Sequence, residues 1–88
     1  MIIMIDKSFE KDQRKIRDKK VINEIIDTIE QVKQAKLPAE IKGLKKLTGF
    51  KFYYRIRIGD FRIGIILRGE TVKFIRILNR KDIYNYFP

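Results

Sequence analysis

Cysteine, histidine and tryptophan are absent from this sequence, which also contains only two prolines and five glycines. Without Cys or His, no zinc site can be built from thiolate or imidazole ligands. The same absences exclude a disulfide scaffold and Ser-His-Asp, Cys-His or paired-histidine catalysis. The apolar run that opens the chain, residues 1–5, is too short for a signal peptide or a membrane span. We therefore expect a cytoplasmic protein with no membrane partner, no metal and no cofactor.

The residues that are present allow one small folded domain over residues 1–88, because 44% of them are hydrophobic. Lys and Arg number 21 against 11 Asp and Glu, a net charge of +10, which favours a polyanionic partner. Residues 1–48 carry ten Lys and two Arg, whereas residues 49–88 carry three Lys and six Arg. Because Arg suits bidentate phosphate contacts and stacking on bases, we expect the functional residues in the C-terminal half.

Hydrophobic periodicity predicts two helices after a short buried strand at residues 1–5. Ser8 is a candidate N-cap for a first helix that runs to about Asp18. Leu37-Pro38 ends a second helix. That helix has an apolar stripe with i, i+3, i+4, i+7 spacing, made of Ile22, Ile25, Ile26, Ile29 and Val32.

Alternating apolar residues predict three further strands, at residues 52–58, 61–67 and 72–78, with turns at 59–60 and 68–70. The resulting order is β-α-α-β-β-β. We therefore predict an α+β domain in which a helical hairpin packs on one face of a mainly antiparallel four-stranded sheet.

The central hairpin separates apolar from basic side chains. A Gly-Asp loop at residues 59–60 places Arg57 opposite Arg62. In the same register, Arg55 lies opposite Gly64. The predicted core face holds Phe52, Tyr54, Ile56, Ile58, Phe61, Ile63, Ile65 and Leu67. The other face holds Tyr53, Arg55, Arg57, Arg62, Gly64 and Ile66. A solvated basic face is one interpretation, but arginines without an acid, beside the gap expected at Gly64, favour an anion site.

The C-terminal segment adds cations and aromatic rings to this surface. Arg80 and Lys81 follow the last predicted strand, with Tyr84 and Tyr86 close behind. A positive surface flanked by rings suits single-stranded nucleic acid. The alternative is that the rings, Phe87 more readily than Tyr84, dock on the core. Arg76 breaks the apolar alternation of its strand, which leaves open a bulge or a position at the sheet rim.

Three segments together resemble the RelE/ParE superfamily of toxins from type II toxin–antitoxin pairs. They are LKKLTG at residues 44–49, YYRIRIGDFRIG at residues 53–64 and RKDIY at residues 80–84. The resemblance spans nearly the whole chain and implies a RelE-like, microbial-RNase-like fold. RelE-like members are ribosome-dependent endoribonucleases that cut mRNA in the decoding site. They use the RNA's own 2′-OH and no metal, and leave a 2′,3′-cyclic phosphate and a 5′-OH.

The resemblance also assigns roles to residues. Its implied catalytic set is Arg55, Arg57, Arg62, Arg80 and Tyr84. Apart from the resemblance, we predict Tyr53, Arg76, Lys81 and Lys51 as RNA-binding residues. The best-studied members have lysines at the positions of Arg55 and Arg57. Because arginine stays protonated, we assign both to stabilisation of phosphate and transition-state charge and leave the general base open, with Tyr84 as one candidate. Asn79 stands where close relatives often have a histidine.

Two other functions are consistent with the resemblance: a ParE-like inhibitor that binds DNA gyrase without cutting RNA, and a catalytically weakened RNA- or ribosome-binding homologue. The nuclease implies the ribosome and mRNA as partners. All three functions imply a cognate antitoxin whose acidic segment wraps the basic toxin. For the nuclease, this antitoxin is expected to be RelB-like. We expect the toxin to be monomeric when free and to form a heteromeric complex with the antitoxin. A homodimer through the first strand is the alternative.

Overall fold

A computed structural model describes residues 1–88. The chain forms strand β1 (Ile2–Ile5), helices α1 (Lys7–Arg14) and α2 (Lys19–Gln34), a 3₁₀ turn (Pro38–Glu40), strands β2 (Leu44–Lys46), β3 (Tyr53–Ile58), β4 (Phe61–Arg68) and β5 (Thr71–Asn79), and the short helix α3 (Ile83–Tyr86). No helix is both long and apolar enough to cross a membrane.

The strands form one sheet in the order β1-β5-β4-β3-β2, in which β1 is parallel to β5 and the other pairs are antiparallel. This arrangement confirms the predicted α+β class and the mainly antiparallel sheet. The number of strands is five rather than four, because β2 pairs with β3 at the far edge. A three-residue strand has too few positions to show an alternating pattern, so the sequence did not reveal it.

The helices begin one or more residues away from the predicted positions. Asp6, not Ser8, is the N-cap of α1, and its carboxylate accepts hydrogen bonds from the Ser8 N–H at 3.1 Å and the Ser8 hydroxyl at 2.6 Å. Asp18 caps α2 by accepting from the Lys20 N–H at 2.9 Å rather than ending α1. Both carboxylates satisfy backbone N–H groups that have no partner within the helix.

The core lies between the helices and one face of the sheet. In the predicted register, Ile56 faces Ile63 and Ile58 faces Phe61. Phe9 of α1 meets Phe74 of β5 edge to face, with ring centroids 5.5 Å apart. Most residues of the predicted core face are buried or pack against the core, but Phe52 is 37% exposed. Phe52 lies just before β3 begins, and the Arg68 guanidinium lies 5.0 Å from the centre of its ring.

Strand β1 is more exposed than the sequence predicts. The exposed fractions of Ile2, Met4 and Ile5 are 59%, 50% and 42%, and only Ile3 packs against the core. The prediction of a buried strand was wrong because β1 is an edge strand that pairs with β5 alone.

Helix α1 covers the part of the β5 edge that β1 leaves unpaired. The Ser8 hydroxyl shares its single proton between the Asp6 carboxylate and the carbonyl of Ile75, which lies at 2.5 Å. The Asp12 carboxylate accepts from the Ile77 N–H at 3.0 Å. The register between β4 and β5 shifts here, so Ile75 is an extra residue in the ladder. Arg76 therefore lies at a β-bulge, which resolves the alternative that the sequence left open.

Candidate nucleic-acid interface

Strands β2, β3 and β4 place cations on the sheet face opposite α1 and α2, which α3 covers only in part. Arg57 lies directly opposite Arg62, and Arg55 lies opposite Gly64, as the hairpin register predicts. Lys45 of β2 lies on the other side of Arg55, so the basic row extends to the sheet edge. The chain forms two ion pairs, Lys73–Asp6 and Arg76–Asp12, and neither includes these cations. Their charge is therefore uncompensated within the protein.

Backbone carbonyl groups hold two of these guanidinium groups in place. Arg55 Nη1 donates to the carbonyl of Gly43 at 2.6 Å. Arg62 Nη1 donates to the carbonyls of Gly59 and Phe61, each at 2.9 Å. Gly59 adopts a positive φ of 56° in the hairpin turn, a conformation that glycine accommodates without strain. Because carbonyl acceptors leave the guanidinium charge in place, these contacts orient the arginines without neutralising them.

Arg62 is the electrostatic centre of the basic face. Partial burial lowers the pKa of Arg62, and the neighbouring charges of Arg57, Arg55 and Arg80 lower it further, while Tyr84 acts in the opposite direction. The five predicted catalytic residues therefore interact electrostatically. A bound anion would relieve the repulsion among the four cations.

Arg80 reaches this centre through the turn that follows β5. Its N–H donates to the carbonyl of Asp60 at 2.8 Å, which fixes the turn against the β3–β4 hairpin. Asn79 shapes the turn, since its side-chain oxygen accepts from the Lys81 N–H at 3.0 Å and its carbonyl from the Asp82 N–H at 2.8 Å. Asn79 thus has a structural role as an Asx-turn residue, which the sequence analysis missed.

An open groove of about 580 Å³ borders the basic face. One wall is β2 and the loop after it, including Lys45, Lys46 and Phe50, and the other is the C-terminal segment. Arg55 and Tyr84 both line the groove, and Tyr84 is 58% exposed. The groove combines cations with accessible ring surface, which is the combination that binds single-stranded nucleic acid.

The gap expected at Gly64 is filled. Phe87 is 2% exposed, and its ring lies so close to Gly64 that a Cβ there would be 2.5 Å from two ring carbons. The prediction of an open space was therefore wrong, while the docking of Phe87 in preference to Tyr84 is confirmed. The sequence could not show this contact, because the two residues meet only when α3 folds back over the sheet.

The predicted RNA-binding residues do not form one cluster. Tyr53 lies between the rings of Phe50 and Phe87, with centroids 5.6 and 5.5 Å away. Lys51 borders an adjoining depression in the loop after β2 and does not line the groove itself. Lys81 is exposed beside Arg80. Arg76 donates from Nε and Nη2 to the Asp12 carboxylate at 2.7 and 3.0 Å, an ion pair that raises the pKa of Arg76.

Residues in and after β2 were missed as groove residues. They are Lys45, Lys46, Leu47, Thr48 and Phe50. The signal that could have found Lys45 was its cross-strand position beside Arg55, but that position depends on recognising β2. The chain contains no cluster of three or more His, Cys, Asp or Glu side chains arranged to hold a metal ion.

The family model described as "ParE toxin of type II toxin-antitoxin system, parDE" matches residues 3–84. This chain belongs to the RelE/ParE superfamily of toxins. Over 45 residues this chain is 56% identical to Toxin RelE3 of Methanocaldococcus jannaschii. The alignment covers 51% of each protein. The chain thus spans about half the length of this curated relative.

Solved structures extend the similarity to almost the whole chain. One chain of the RelB-RelE antitoxin–toxin complex from Methanococcus jannaschii has a TM-score of 0.80 and 37% identity, covering 97% of this toxin-family chain and 99% of the other. The isolated E. coli RelE toxin has a TM-score of 0.64 and 18% identity to this chain. The match covers 96% of this chain and 90% of the E. coli protein, and it supports the fold alone.

Proposed function

We propose that this superfamily member is a ribosome-dependent endoribonuclease that cuts mRNA in the decoding site and thereby inhibits translation. The observation that carries the proposal is the arrangement of three arginines and Tyr84 around Arg62, on the sheet face opposite α1 and α2. The arginines lack carboxylate partners, so they are available to the phosphates of RNA. The relation to the M. jannaschii complex supports the RelE branch of the superfamily.

The proposed reaction is an internal phosphoryl transfer. The 2′-oxygen of one nucleotide attacks the adjacent phosphorus as it loses its proton, forming a 2′-O–P bond. The P–O5′ bond breaks, and the leaving oxygen takes up a proton. The products are a 2′,3′-cyclic phosphate and a 5′-OH, so no water, oxidant or metal is needed to balance this step.

Charge stabilisation is the main contribution that the arginines would make. Arg55, Arg57 and Arg62 would bind the scissile phosphate and stabilise the extra negative charge of its transition state. Arg80, held against the hairpin turn, would assist departure of the 5′-oxygen. Tyr84 would stack on or orient a base in the groove. None of the four arginines can act as the general base, because arginine remains protonated. Tyr84 is one candidate, and the base is left unassigned.

The other residues predicted to bind RNA would act along the flanking strand. Lys51 and Lys81 are exposed and can contact phosphates, and Tyr53 presents part of its ring beside the groove. Arg76 uses the N–H of Nε and one N–H of Nη2 to bind Asp12, so an RNA contact by Arg76 would have to use the remaining N–H groups of Nη1 and Nη2.

We further propose a RelB-like antitoxin as the partner of this chain. The similar M. jannaschii and Pyrococcus horikoshii proteins were solved as complexes of RelE with RelB. An acidic antitoxin segment would be attracted by a net charge of +10 and by the uncompensated arginines. We expect a heteromeric complex in which the basic face is covered and a free toxin that is monomeric.

Cleavage is tested with ribosomes carrying a defined mRNA, with cut sites mapped by primer extension. We expect a cut in the decoding-site codon that is strongly slowed by Arg80→Ala and Tyr84→Ala. An mRNA with a 2′-deoxy nucleotide on the 5′ side of the cut should resist cleavage. Lys36→Gln, which removes a cation away from the basic face, is the matched control and should cut like the wild type.

The family description favours one competing function, a ParE-like gyrase inhibitor. If the wild type binds ribosomes without cutting mRNA, and Arg57→Gln no longer binds them, the nuclease proposal is contradicted. The protein would then be a ribosome-binding toxin. Failure both to cut and to bind ribosomes, together with inhibition of DNA supercoiling by gyrase, would establish the ParE-like alternative.

A further inference from the structure

Helix α3 is the least supported element of the candidate site, yet it carries Tyr84. It has only four residues, and its N-cap residue Asp82 makes no side-chain capping bond. A helix of this length is unstable by itself in water. Its position must therefore come from contacts with the sheet, and α3 packs on β4 and β5.

Two apolar side chains attach α3 to the sheet. Ile83 and Phe87 are spaced i, i+4, point in the same direction, and are 0% and 2% exposed. The Phe87 N–H donates to the carbonyl of Ile83 at 2.8 Å, which closes the turn between them. Tyr84 and Tyr86 lie outside this contact and are 58% and 61% exposed.

Gly64 provides the space that Phe87 occupies. A Cβ at this position would lie 2.5 to 2.8 Å from three carbons of the Phe87 ring, closer than real Cβ contacts allow. Gly64 is in the middle of β4, opposite Arg55 and therefore on the basic face. The absence of a side chain at Gly64 thus lets the C-terminal segment cross the sheet beside Arg55 instead of standing away from it.

Further contacts hold α3 on both sides of Phe87. The Tyr53 ring lies 5.5 Å from the Phe87 ring. On the other side, the Arg76 guanidinium lies 5.4 Å from the centre of the Tyr86 ring, and Asp12 holds Arg76 in turn. These contacts leave Tyr84 directed at the groove that it shares with Arg55.

We infer that Phe87 and Gly64 act as a positioning pair: the Phe87 ring, seated on Gly64, holds α3 so that Tyr84 stays at the groove. The inference rests on the proposed function for the role of Tyr84, but the seating of α3 can be measured without any activity. Neither Phe87 nor Gly64 contacts RNA in this proposal. They act through Tyr84.

The seating is measured by hydrogen exchange and NMR on the full chain. Phe87→Ala and Gly64→Ala should each raise the exchange rate of the backbone amides at positions 85 and 87 by at least about tenfold. The Ile65 amide in β4 should keep its protection. The ring signals of Tyr84 should move towards the values of an unstructured chain, whereas those of Tyr54 in the core stay in place. Phe52→Ala removes a ring away from α3 and should change neither measurement.

Coupling to function is measured by a double-mutant cycle. Phe87→Ala should slow mRNA cleavage at saturating ribosomes in the presence of Tyr84 and cause no further slowing in a Tyr84→Ala background. The Gly64→Ala/Phe87→Ala double variant should be no slower than the slower single variant. A purely structural loss would instead slow cleavage equally in both Tyr84 backgrounds.

Each outcome is decisive for one of the two proposals. Unchanged Tyr84 signals and unchanged α3 exchange in Phe87→Ala overturn the positioning pair, whatever the cleavage rate. Uniformly faster exchange, with Ile65 as affected as Phe87, overturns it too. If the wild type does not cut but α3 loosens selectively, the seating stands and the proposed nuclease fails.

Discussion

At the scale of single residues, the arginines of the basic face attract phosphate groups but repel one another in the folded protein. Arg57 and Arg62 are directly opposite each other in the β3–β4 ladder, and neither has a carboxylate partner. Like charges in this position oppose folding, while the same charges attract a phosphate. Stability and binding should therefore respond in opposite directions when one charge is removed.

Arg57→Gln tests this opposition. We expect the free energy of unfolding to rise by about 0.2–1 kcal/mol, because a repulsive cross-strand pair is removed. The affinity for single-stranded RNA should fall, and the slope of its logarithm against the logarithm of salt concentration should become shallower by about 0.7, the loss of one phosphate contact. Urea denaturation and RNA titrations at several salt concentrations measure both effects.

Lys36→Gln is the control, because it removes the same charge near Glu70, at the opposite end of β4 from the hairpin turn. It should change neither stability nor the salt slope appreciably. A loss of stability in Arg57→Gln would show that the two arginines do not repel each other in the folded protein.

At the scale of elements, α1 takes the place of a neighbouring strand along the C-terminal half of β5, where β1 no longer pairs with it. Ser8 and Asp12, one helical turn apart, supply a donor and an acceptor, respectively, to the backbone of the β-bulge. Asp12 is 5% exposed and also binds Arg76 through two hydrogen bonds. One carboxylate therefore joins α1, β5 and, through the stacking of Arg76 on Tyr86, the C-terminal helix.

Asp12→Ala should be strongly destabilising. Removing one member of a buried ion pair costs about 3–5 kcal/mol, and we expect about 3 because the Arg76 side chain is 24% exposed. Urea denaturation measures the loss, with the exposed Asp27→Asn in α2 as the control. A loss below about 1 kcal/mol would mean that water replaces the carboxylate at the strand edge.

The cap of α1 predicts a pH dependence at acidic pH. Hydrogen bonds from the Ser8 hydroxyl and N–H lower the pKa of Asp6 in the folded protein, and the ion pair with Lys73 adds to this effect. A carboxylate with a lowered folded pKa stabilises the protein fully above its unfolded pKa and loses that stabilisation as pH falls through the folded value. The loss therefore belongs below about pH 4.

Asp6→Asn should retain the cap, because asparagine also accepts from helix N–H groups, but it cannot titrate. We expect the thermal unfolding midpoint of the wild type to fall more steeply below about pH 4 than that of Asp6→Asn. Circular dichroism melts at successive pH values measure this difference. Parallel curves for the two proteins would contradict the role of Asp6 as a charged cap.

At the scale of the whole molecule, the net charge of +10 is confined to dimensions of 32 × 27 × 22 Å. The Debye length is about 30 Å at 0.01 M salt and about 8 Å at 0.15 M. Cations across the entire protein therefore repel one another at low salt, and only neighbours do so at physiological salt.

The thermal unfolding midpoint should consequently rise as NaCl increases from about 0.01 M to about 0.15 M and change less beyond that range. Calorimetry or circular dichroism measures the rise. Arg57→Gln should show a smaller increase than Lys36→Gln, because it removes a charge from the densest cluster. A midpoint that falls with NaCl would indicate that attractive ion pairs dominate the charge balance.

Much of this architecture could be predicted from local patterns. Strict alternation in residues 52–67 determined which side chains face the core, and the Gly-Asp loop determined that Arg57 opposes Arg62. Both follow from a side-chain period of two in strands and from the short range of a hairpin turn. The absence of Cys and His likewise determined which kinds of site the chain cannot build.

Only the tertiary structure decided which distant segments meet. Phe87 seated on Gly64, Asp12 bound to Arg76, and Lys45 beside Arg55 each join residues from separate elements. Each contact depends on a sheet edge, a bulge or a crossing of the C-terminal segment, and none of these produces a periodic signal along the chain. Local sequence determined the basic face, whereas long-range packing decided how Tyr84 and the groove are placed beside it.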